Sequence, residues 1–355
     1  NLETLIARDS EVDTECVPMT YFDASMLSSS VKKLDLTNNR IRIFQSAAAV
    51  PPLTELYLSH NALGQGYDVG TNTGLWLGEN GYPSVDPDVT IDLKKYNDTL
   101  EILHIFNNGP FLLSIKGFDS AEAIQWSNLK TIQAHGNSQL YSSDDRRFGA
   151  TVPSLQYLTI NDTALTNGIH LNTLNAKYDL REIYAKNAKM DGQDARFQLN
   201  NGIGSIEYPD LTYINLENTG LKYINLGINS FANWNWDENW NYWGDKILNL
   251  ETILVKDCTS LNWLELPEPS EVFDNIDKKY LKQIDISGSS LGENIDAFLT
   301  HPAFSPSYYP DGHVLNVIMS GLVDLNGNSV PAPLSIIEAT IQDWSDQGKY
   351  INFNY

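Results

Sequence analysis

Cysteine, basic side chains and long apolar runs are all scarce in this chain of 355 residues. Its two cysteines, Cys16 and Cys258, exclude a small fold held together by disulfides. Lysine and arginine total 23 against 45 acidic residues, a net charge of -22, which argues against nucleic acid or an anionic membrane as partner. No apolar run reaches the roughly 18 residues that a membrane-spanning helix needs, so we expect no membrane span.

A short repeat organises the sequence. Residues 249–261, NLETILVKDCTSL, have a near-copy at 1–12, NLETLIARDSEV, and both fit the frame L-x-x-L-x-L-x-x-N/C-x-L. Because the first copy begins at Asn1, we expect these residues to continue a longer polypeptide. The frame predicts one strand per repeat and a last strand at Ile351. The first core residues of the other strands are Leu5, Leu34, Leu56, Leu103, Ile132, Leu158, Ile183, Ile214, Ile253, Ile284 and Val317.

Each repeat also predicts a polar turn position three residues after the second apolar residue of the strand. An amide at this place can hydrogen-bond backbone groups that a tight turn leaves unpaired. Asparagine fills it early in the chain and small residues fill it later: Asn39, Asn61, Asn108 and Asn137, then Thr163, Ala188, Thr219, Cys258 and Ser289. We therefore interpret Cys258 as a small buried residue, not a nucleophile, and too far from Cys16 to pair with it.

These frames resemble the leucine-rich repeat family over nearly the whole chain. The phrases DCTSLNWLEL and ENTGLKYINL are similar to irregular repeat proteins on the surface of Bacteroidota-type bacteria. The resemblance implies an α/β fold, a single curved solenoid of about 11–12 repeats over residues 1–355. It implies a parallel sheet on the concave face, with helices, 3-10 turns and loops on the convex face. It also implies a secreted or lipid-anchored bacterial protein of the outer membrane or cell surface that binds proteins or glycans.

The spacing between repeats is irregular, and the excess residues predict loop insertions and helical return segments. Residues 64–88 and 231–245 are the main insertions, and 141–153 is a smaller one. A helix is expected over 271–280. Residues 333–355 are expected to form a capping helix and strand, with Ile337, Ile341 and Trp344 on one helix face and Gly348 as its stop.

The concave face is the predicted partner-binding surface. Aromatic and polar side chains alternate there on neighbouring strands, an arrangement typical of recognition surfaces. The alternative is that exposed strands favour aromatic residues anyway, through cross-strand pairing. The candidate residues are His104, Phe106, His135, Tyr157, Tyr184, Lys186 and Tyr213.

The 231–245 insertion is unusually rich in tryptophan. It could stack on sugar rings, dock a partner, or pack against its own domain, where loop tryptophans are more often half-buried. The residues concerned are Trp234, Trp236, Trp240, Tyr242 and Trp243.

No pattern supports a catalytic or metal site. GSSLG (288–292) fits the hydrolase pattern G-x-S-x-G, but Ser289 and Leu291 already occupy turn and core positions of a repeat. His104 and His135 lack a third ligand, so we interpret them as surface histidines, and DLNGN (324–328) as a plain turn. No cofactor is expected.

The predicted function is therefore non-enzymatic: a cell-surface or secreted protein that recognises a protein or peptide through its concave face. The alternative is a glycan-binding or structural accessory subunit of an outer-membrane nutrient-uptake complex or another surface assembly.

Overall fold

The computed structural model describes residues 2–9, 19–45, 50–64, 91–112, 114–118, 124–140, 151–166, 168–170, 179–192, 195–198, 207–208, 210–226, 246–247, 249–267 and 280–355. The chain is α/β, with a long parallel sheet of 12 strands, the principal sheet, and few helices. It divides into two compact units, Asn1–Leu165 and Thr166–Tyr355.

Unit 1 contributes six parallel strands to the principal sheet: β1 (Thr4–Ile6), β3 (Lys33–Asp35), β5 (Glu55–Tyr57), β7 (Ile102–His104), β9 (Thr131–Gln133) and β10 (Tyr157–Thr159). The predicted first core residues of these strands pair in register from Leu5 through to Leu158. All are fully buried except Leu5 in the edge strand, which is half-buried. Two smaller parallel pairs are β2 (Tyr21–Asp23) with β4 (Ile43–Gln45), and β6 (Ile91–Asp92) with β8 (Ile115–Lys116).

Unit 2 contributes the other six: β12 (Glu182–Tyr184), β15 (Tyr213–Asn215), β18 (Thr252–Leu254), β20 (Gln283–Asp285), β21 (Val314–Ile318) and β22 (Tyr350–Asn354). Ile183, Ile214, Ile253, Ile284 and Val317 again pair in register and are fully buried. Ile351 pairs with Leu315, two residues before Val317.

The return segments of unit 2 also contain strands, which the frame did not predict. They form a second parallel sheet of β11 (Gly168–His170), β13 (Arg196–Gln198), β16 (Tyr223–Asn225) and β19 (Trp263–Glu265), and a pair of β14 (Glu207–Tyr208) with β17 (Lys246–Ile247). The middle residues Ile169, Phe197, Ile224 and Leu264 are buried. The expectation of only helices, 3-10 turns and loops outside the principal sheet was wrong here, because these short apolar runs alternate with polar residues as strands do.

The described helices are short. They are α1 (Ile295–Leu299), α2 (Leu334–Asp346) and 3-10 turns at Ala24–Met26, Lys94–Tyr96, Gly109–Phe111, Leu291–Asn294, Pro302–Phe304 and Pro306–Tyr308. Helix α2 buries Ile337 and Trp344, and the Trp344 indole donates a hydrogen bond to the Phe304 carbonyl at 2.6 Å. Ile341 follows Ile337 by four residues on the predicted face but is 41% exposed, so only part of that face is buried. Within the described residues, no helix has the length and apolar character to cross a membrane.

Several predictions fall outside the described residues. They concern Cys16, the predicted helix up to residue 279, and the insertions over residues 65–88, 141–150 and 231–245.

The predicted turn position forms a continuous hydrogen-bonded ladder in unit 1. The Asn108 amide donates to the Ile105 carbonyl at 2.7 Å, while its side-chain oxygen accepts from the Asn61 backbone N–H at 3.1 Å. The Asn108 backbone N–H donates in turn to the side-chain oxygen of Asn137 at 2.9 Å. Each asparagine thus joins its own turn to the preceding repeat by hydrogen bonds to buried backbone groups.

In the later repeats of the chain, smaller residues occupy the ladder position. Thr219 Oγ1 donates to the Leu216 carbonyl at 3.0 Å, and Cys258 Sγ lies 3.1 Å from the same carbonyl. Burial raises the pKa of the Cys258 thiol, so the sulfur is protonated at neutral pH. The structure thus confirms Cys258 as a buried ladder residue.

We expect Asn108→Ala to reduce the free energy of unfolding by about 1–3 kcal/mol, because it removes the acceptor of the buried Asn61 N–H. The Ile105 carbonyl keeps one donor, the Asn137 amide at 2.9 Å. Chemical denaturation of the full chain measures this change. Asn352→Ala is the matched control, since the exposed Asn352 amide bonds only to the exposed Asn316 side chain, and its effect should stay within about 0.5 kcal/mol. Equal losses in the two variants would contradict the ladder's role.

Candidate recognition surface

The exposed face of the principal sheet in unit 1 carries three side chains from each repeat. In the repeat of β7, for example, Ile102, His104 and Phe106 are half-buried on this face and alternate with the buried Leu103 and Ile105, as a period of two predicts. Because the strands pair in register, these side chains form columns that run across β3, β5, β7, β9 and β10.

Ion pairs occupy one end of this face. Arg8 Nε donates to Asp35 Oδ2 at 2.7 Å, and Lys33 Nζ lies 2.6 Å from Glu55 Oε2. The Tyr57 hydroxyl donates to the same Glu55 oxygen at 2.9 Å, and Lys33 Nζ is 4.8 Å from the centre of the Tyr57 ring. The hydrogen bond from Lys33 lowers the pKa of Glu55. The charges at this end are therefore matched in pairs.

Three imidazole rings surround one phenyl ring in the middle of the face, an arrangement that we call the Phe106 cluster (His60, His104, Phe106, His135). Phe106 and His135 stack with ring centres 4.4 Å apart and planes at 10°. His60 meets the Phe106 ring edge-on at 5.2 Å, and His104 lies tilted at 6.1 Å. His104 also meets Tyr57 edge-on at 4.8 Å, which connects the cluster to the ion-paired end.

The two central imidazoles are biased towards their uncharged form. Burial is the main cause that lowers the pKa of His104, and the neighbouring His135 adds to it. Burial likewise lowers the pKa of His135, and His60 adds to this effect. The Nδ1 atom of His135 is buried and has no hydrogen-bond partner among the described residues. Both side chains lie on the exposed face of the sheet and are half-buried.

The last three strands of unit 1 present a surface without any carboxylate, ammonium or guanidinium group, which we call the uncharged patch. It consists of Ile102, His104, Phe106, Thr131, Gln133, His135, Tyr157, Thr159 and Asn161, all half-buried. Permanent charges begin at its borders: Glu101 and Lys130 pair at 2.6 Å, and Asp162 follows Asn161. In a chain with net charge -22, such a surface stands apart.

The exposed face of unit 2 has a different character. The Tyr184 and Tyr213 rings lie 5.0 Å apart on adjacent strands, and the Tyr184 hydroxyl donates to Glu182 at 2.8 Å. Lys186 Nζ lies 2.6 Å from Glu217 Oε2. This face combines a tyrosine pair with carboxylates and a lysine, so it carries charged groups, whereas the uncharged patch of unit 1 carries none.

The structure brings the candidate residues together in part. His104, Phe106 and His135 meet in the Phe106 cluster, whereas Tyr157 lies beside Thr131 in the register. Tyr184, Lys186 and Tyr213 belong to unit 2, where the two tyrosines are in contact. Whether these residues bind a partner stays a prediction, as does the role of the tryptophan-rich insertion.

Two residues of the surface were missed, His60 and Tyr57. His60 holds a left-handed backbone with φ 55°, in the position directly before the ladder residue. That position has positive φ in repeat after repeat: Asp9, Asn38, His60, Asn107, Gly136, Asp162, Asn187, Asn218, Asp257 and Gly288. Asp, Asn, His and Gly are the residues that tolerate this conformation, and their recurrence was a readable signal.

The described residues contain no group of three or more histidine, cysteine or acidic side chains that could hold a metal ion. Ser290, the serine of the G-x-S-x-G match, is buried and donates to the Leu261 carbonyl at 2.7 Å. Asp324 accepts from the backbone N–H groups of Asn326 and Asn328, both at 2.8 Å, as a turn-capping carboxylate does. No protein-family model, curated protein or solved structure matches this chain.

The histidines of the Phe106 cluster should make stability depend on pH. Their folded pKa values lie below the unfolded value of about 6.5, so the unfolded chain binds protons more readily. The free energy of unfolding should therefore be highest above about pH 6.5, and fall as the pH is lowered towards the folded pKa values. Denaturation measured across this range tests the sign.

The variant His104→Gln with His135→Gln should flatten this pH dependence, because neutral glutamine cannot take up a proton. His313→Gln is the comparison, since burial also lowers the pKa of His313 in unit 2. The contribution of His313 to the pH dependence of stability should add to that of His104 and His135 without coupling. An unchanged pH slope in the double variant would contradict the assignment.

Proposed function

We propose that this chain is a non-enzymatic leucine-rich repeat protein of the bacterial cell surface, secreted or lipid-anchored. In this proposal the principal sheet is the concave face of a curved solenoid, and that face recognises a protein or peptide. The in-register strands, the ladder and the left-handed residue before it, repeated once per frame, support the solenoid. The sequence resemblance supports the location.

The observation that carries the binding proposal is the uncharged patch with Phe106 at its centre. The cores of protein interfaces are depleted in charge and enriched in aromatic residues, and a few such residues supply most of the binding energy. The patch has this composition within a strongly acidic chain. A polypeptide partner can cover it without burying an unpaired charge of this surface.

Rigid placement of the aromatic rings supports the same proposal. Phe106 is held by a stacked imidazole on one side and an edge-on imidazole on another, so its ring loses little freedom when a partner covers it. Its backbone N–H is fixed as well, since it donates to Ser59 Oγ at 3.2 Å. Preorganised aromatic anchors of this kind suit the recognition of a partner.

The double variant Phe106→Ser with Tyr157→Ser should weaken partner binding by about 30-fold or more, the effect of losing a hot spot of about 2 kcal/mol. The tagged chain is used to capture partners from a native membrane extract, and a captured partner is then titrated against each variant. Melting temperatures confirm that the variants fold.

Tyr350→Ser is the matched control, because Tyr350 is 59% exposed on β22 and lies outside the uncharged patch. A second variant, Tyr184→Ser with Tyr213→Ser, reports separately on the face of unit 2. Full retention of binding by the Phe106 and Tyr157 variant would overturn the assignment of the patch as the contact surface.

A further inference from the structure

We propose that the uncharged patch holds an uncharged, apolar or aromatic segment of a partner polypeptide near neutral pH and releases it on acidification. This inference rests on the proposed function, and adds to it the chemistry of the partner and the control of its binding. It depends on one arrangement: the only side chains of the patch that gain charge between about pH 7 and pH 5 are His104 and His135, both in contact with Phe106.

The chemistry of the segment follows from the charges of the surface. A carboxylate or ammonium group buried against the patch would meet no opposite charge there, so its loss of hydration would go uncompensated. The charged neighbours Glu101 and Lys130 are matched to each other at the border of the patch. An uncharged segment avoids this desolvation cost and gains the contact area of Phe106 and Tyr157.

His104 responds to charged groups on every strand around it. Lys33 and Asp35 act from β3, Glu55 acts from β5, and His135 acts from the repeat of β9. The two carboxylates favour its protonation, and Lys33 and His135 oppose it. Burial outweighs the carboxylates, so the His104 pKa is lowered, and a segment that covers the ring would bury it further.

His135 is surrounded in a similar way. Asp162 favours its protonation, His60 opposes it, and burial outweighs both. Protonation makes both ring nitrogens donors, and the buried Nδ1 has no acceptor among the described residues. The charged ring would therefore lie in the contact surface with one N–H unpaired. Protonation of the imidazoles and binding of the segment therefore oppose each other, so the affinity for the segment falls as the pH is lowered.

A peptide selection on the full 355-residue chain tests this inference. A phage-displayed library of random peptides is bound at about pH 7.5, and all bound clones are recovered at that same pH by direct infection of bacteria and sequenced. Each clone is then titrated against the unchanged chain, the Phe106→Ser variant and the Tyr350→Ser control at both pH values.

The inference predicts clones that need Phe106 but not Tyr350, whose contact residues are uncharged, and that bind at least about tenfold more weakly at the lower pH. A single imidazole whose pKa falls by about one unit on binding gives tenfold only well below both pKa values, so at about pH 5 the two imidazoles together supply the expected effect. The variant His104→Gln with His135→Gln should bind these clones almost equally at both pH values.

The outcomes separate the inference from the proposed function. Clones that need Phe106 but bind equally well at both pH values, or that carry carboxylates at the contact, overturn the inference and leave the recognition surface in place. An equally large loss of binding at the lower pH in the double glutamine variant also overturns the inference. If no selected clone needs Phe106, the proposed function fails and the inference fails with it.

A measurement on the unchanged chain does not depend on the variants folding. Histidine ring proton resonances are followed through a pH titration by NMR, with and without a selected peptide. His104 and His135 should titrate below the ordinary value of about 6.5, and lower still with peptide bound. Peptide-bound midpoints at or above the free values would contradict competition between proton and segment.

Discussion

The structure depends on pairing the backbone groups that each repeat buries where the chain turns off its strand. The ladder residues are buried, so the N–H and carbonyl groups beside them need partners within the fold. In unit 1 the side chains of Asn61, Asn108 and Asn137 supply these partners and also join consecutive repeats. Since this ladder fixes where each turn begins, it also fixes the register of the strands.

The candidate surface is a product of that register. Side chains from distant parts of the sequence become neighbours because each strand lies against the next without an offset. Tyr57 and His104 are 47 residues apart and pair directly, and Phe106 reaches His135 in the following repeat. The scaffold requires apolar residues only at the buried positions, so the exposed positions are open to any composition. Their loss of charge over three successive strands is therefore informative about function.

The frame predicted a buried residue of each principal strand and the ladder residues, because both are set by burial at fixed spacing within one repeat. It did not predict the register of the last pair, in which Ile351 lies beside Leu315 and not beside Val317. It did not predict which exposed rings meet, since a contact such as His60 with Phe106 depends on backbone φ and side-chain rotamers. Ile341 lies on the predicted face but is exposed, because Ile337 and Trp344 alone cover the contact of α2. The strands of the second sheet in unit 2 were missed because each has three residues with one buried apolar residue in the middle, which is too short to show a period of two.

The contrast between a fixed turn and variable return segments bears on how such a chain can change during evolution. From the strand to the ladder residue the spacing is constant, whereas 22 residues separate Leu34 from Leu56 and 47 separate Leu56 from Leu103. One residue inserted between Leu103 and Asn108 would move the side chains that follow it to the opposite face of the sheet. Dozens of residues inserted after Asn108, in the return segment, would leave the sheet unaltered. Insertions and deletions should therefore accumulate in the return segments, and the exposed face should diversify by substitution alone.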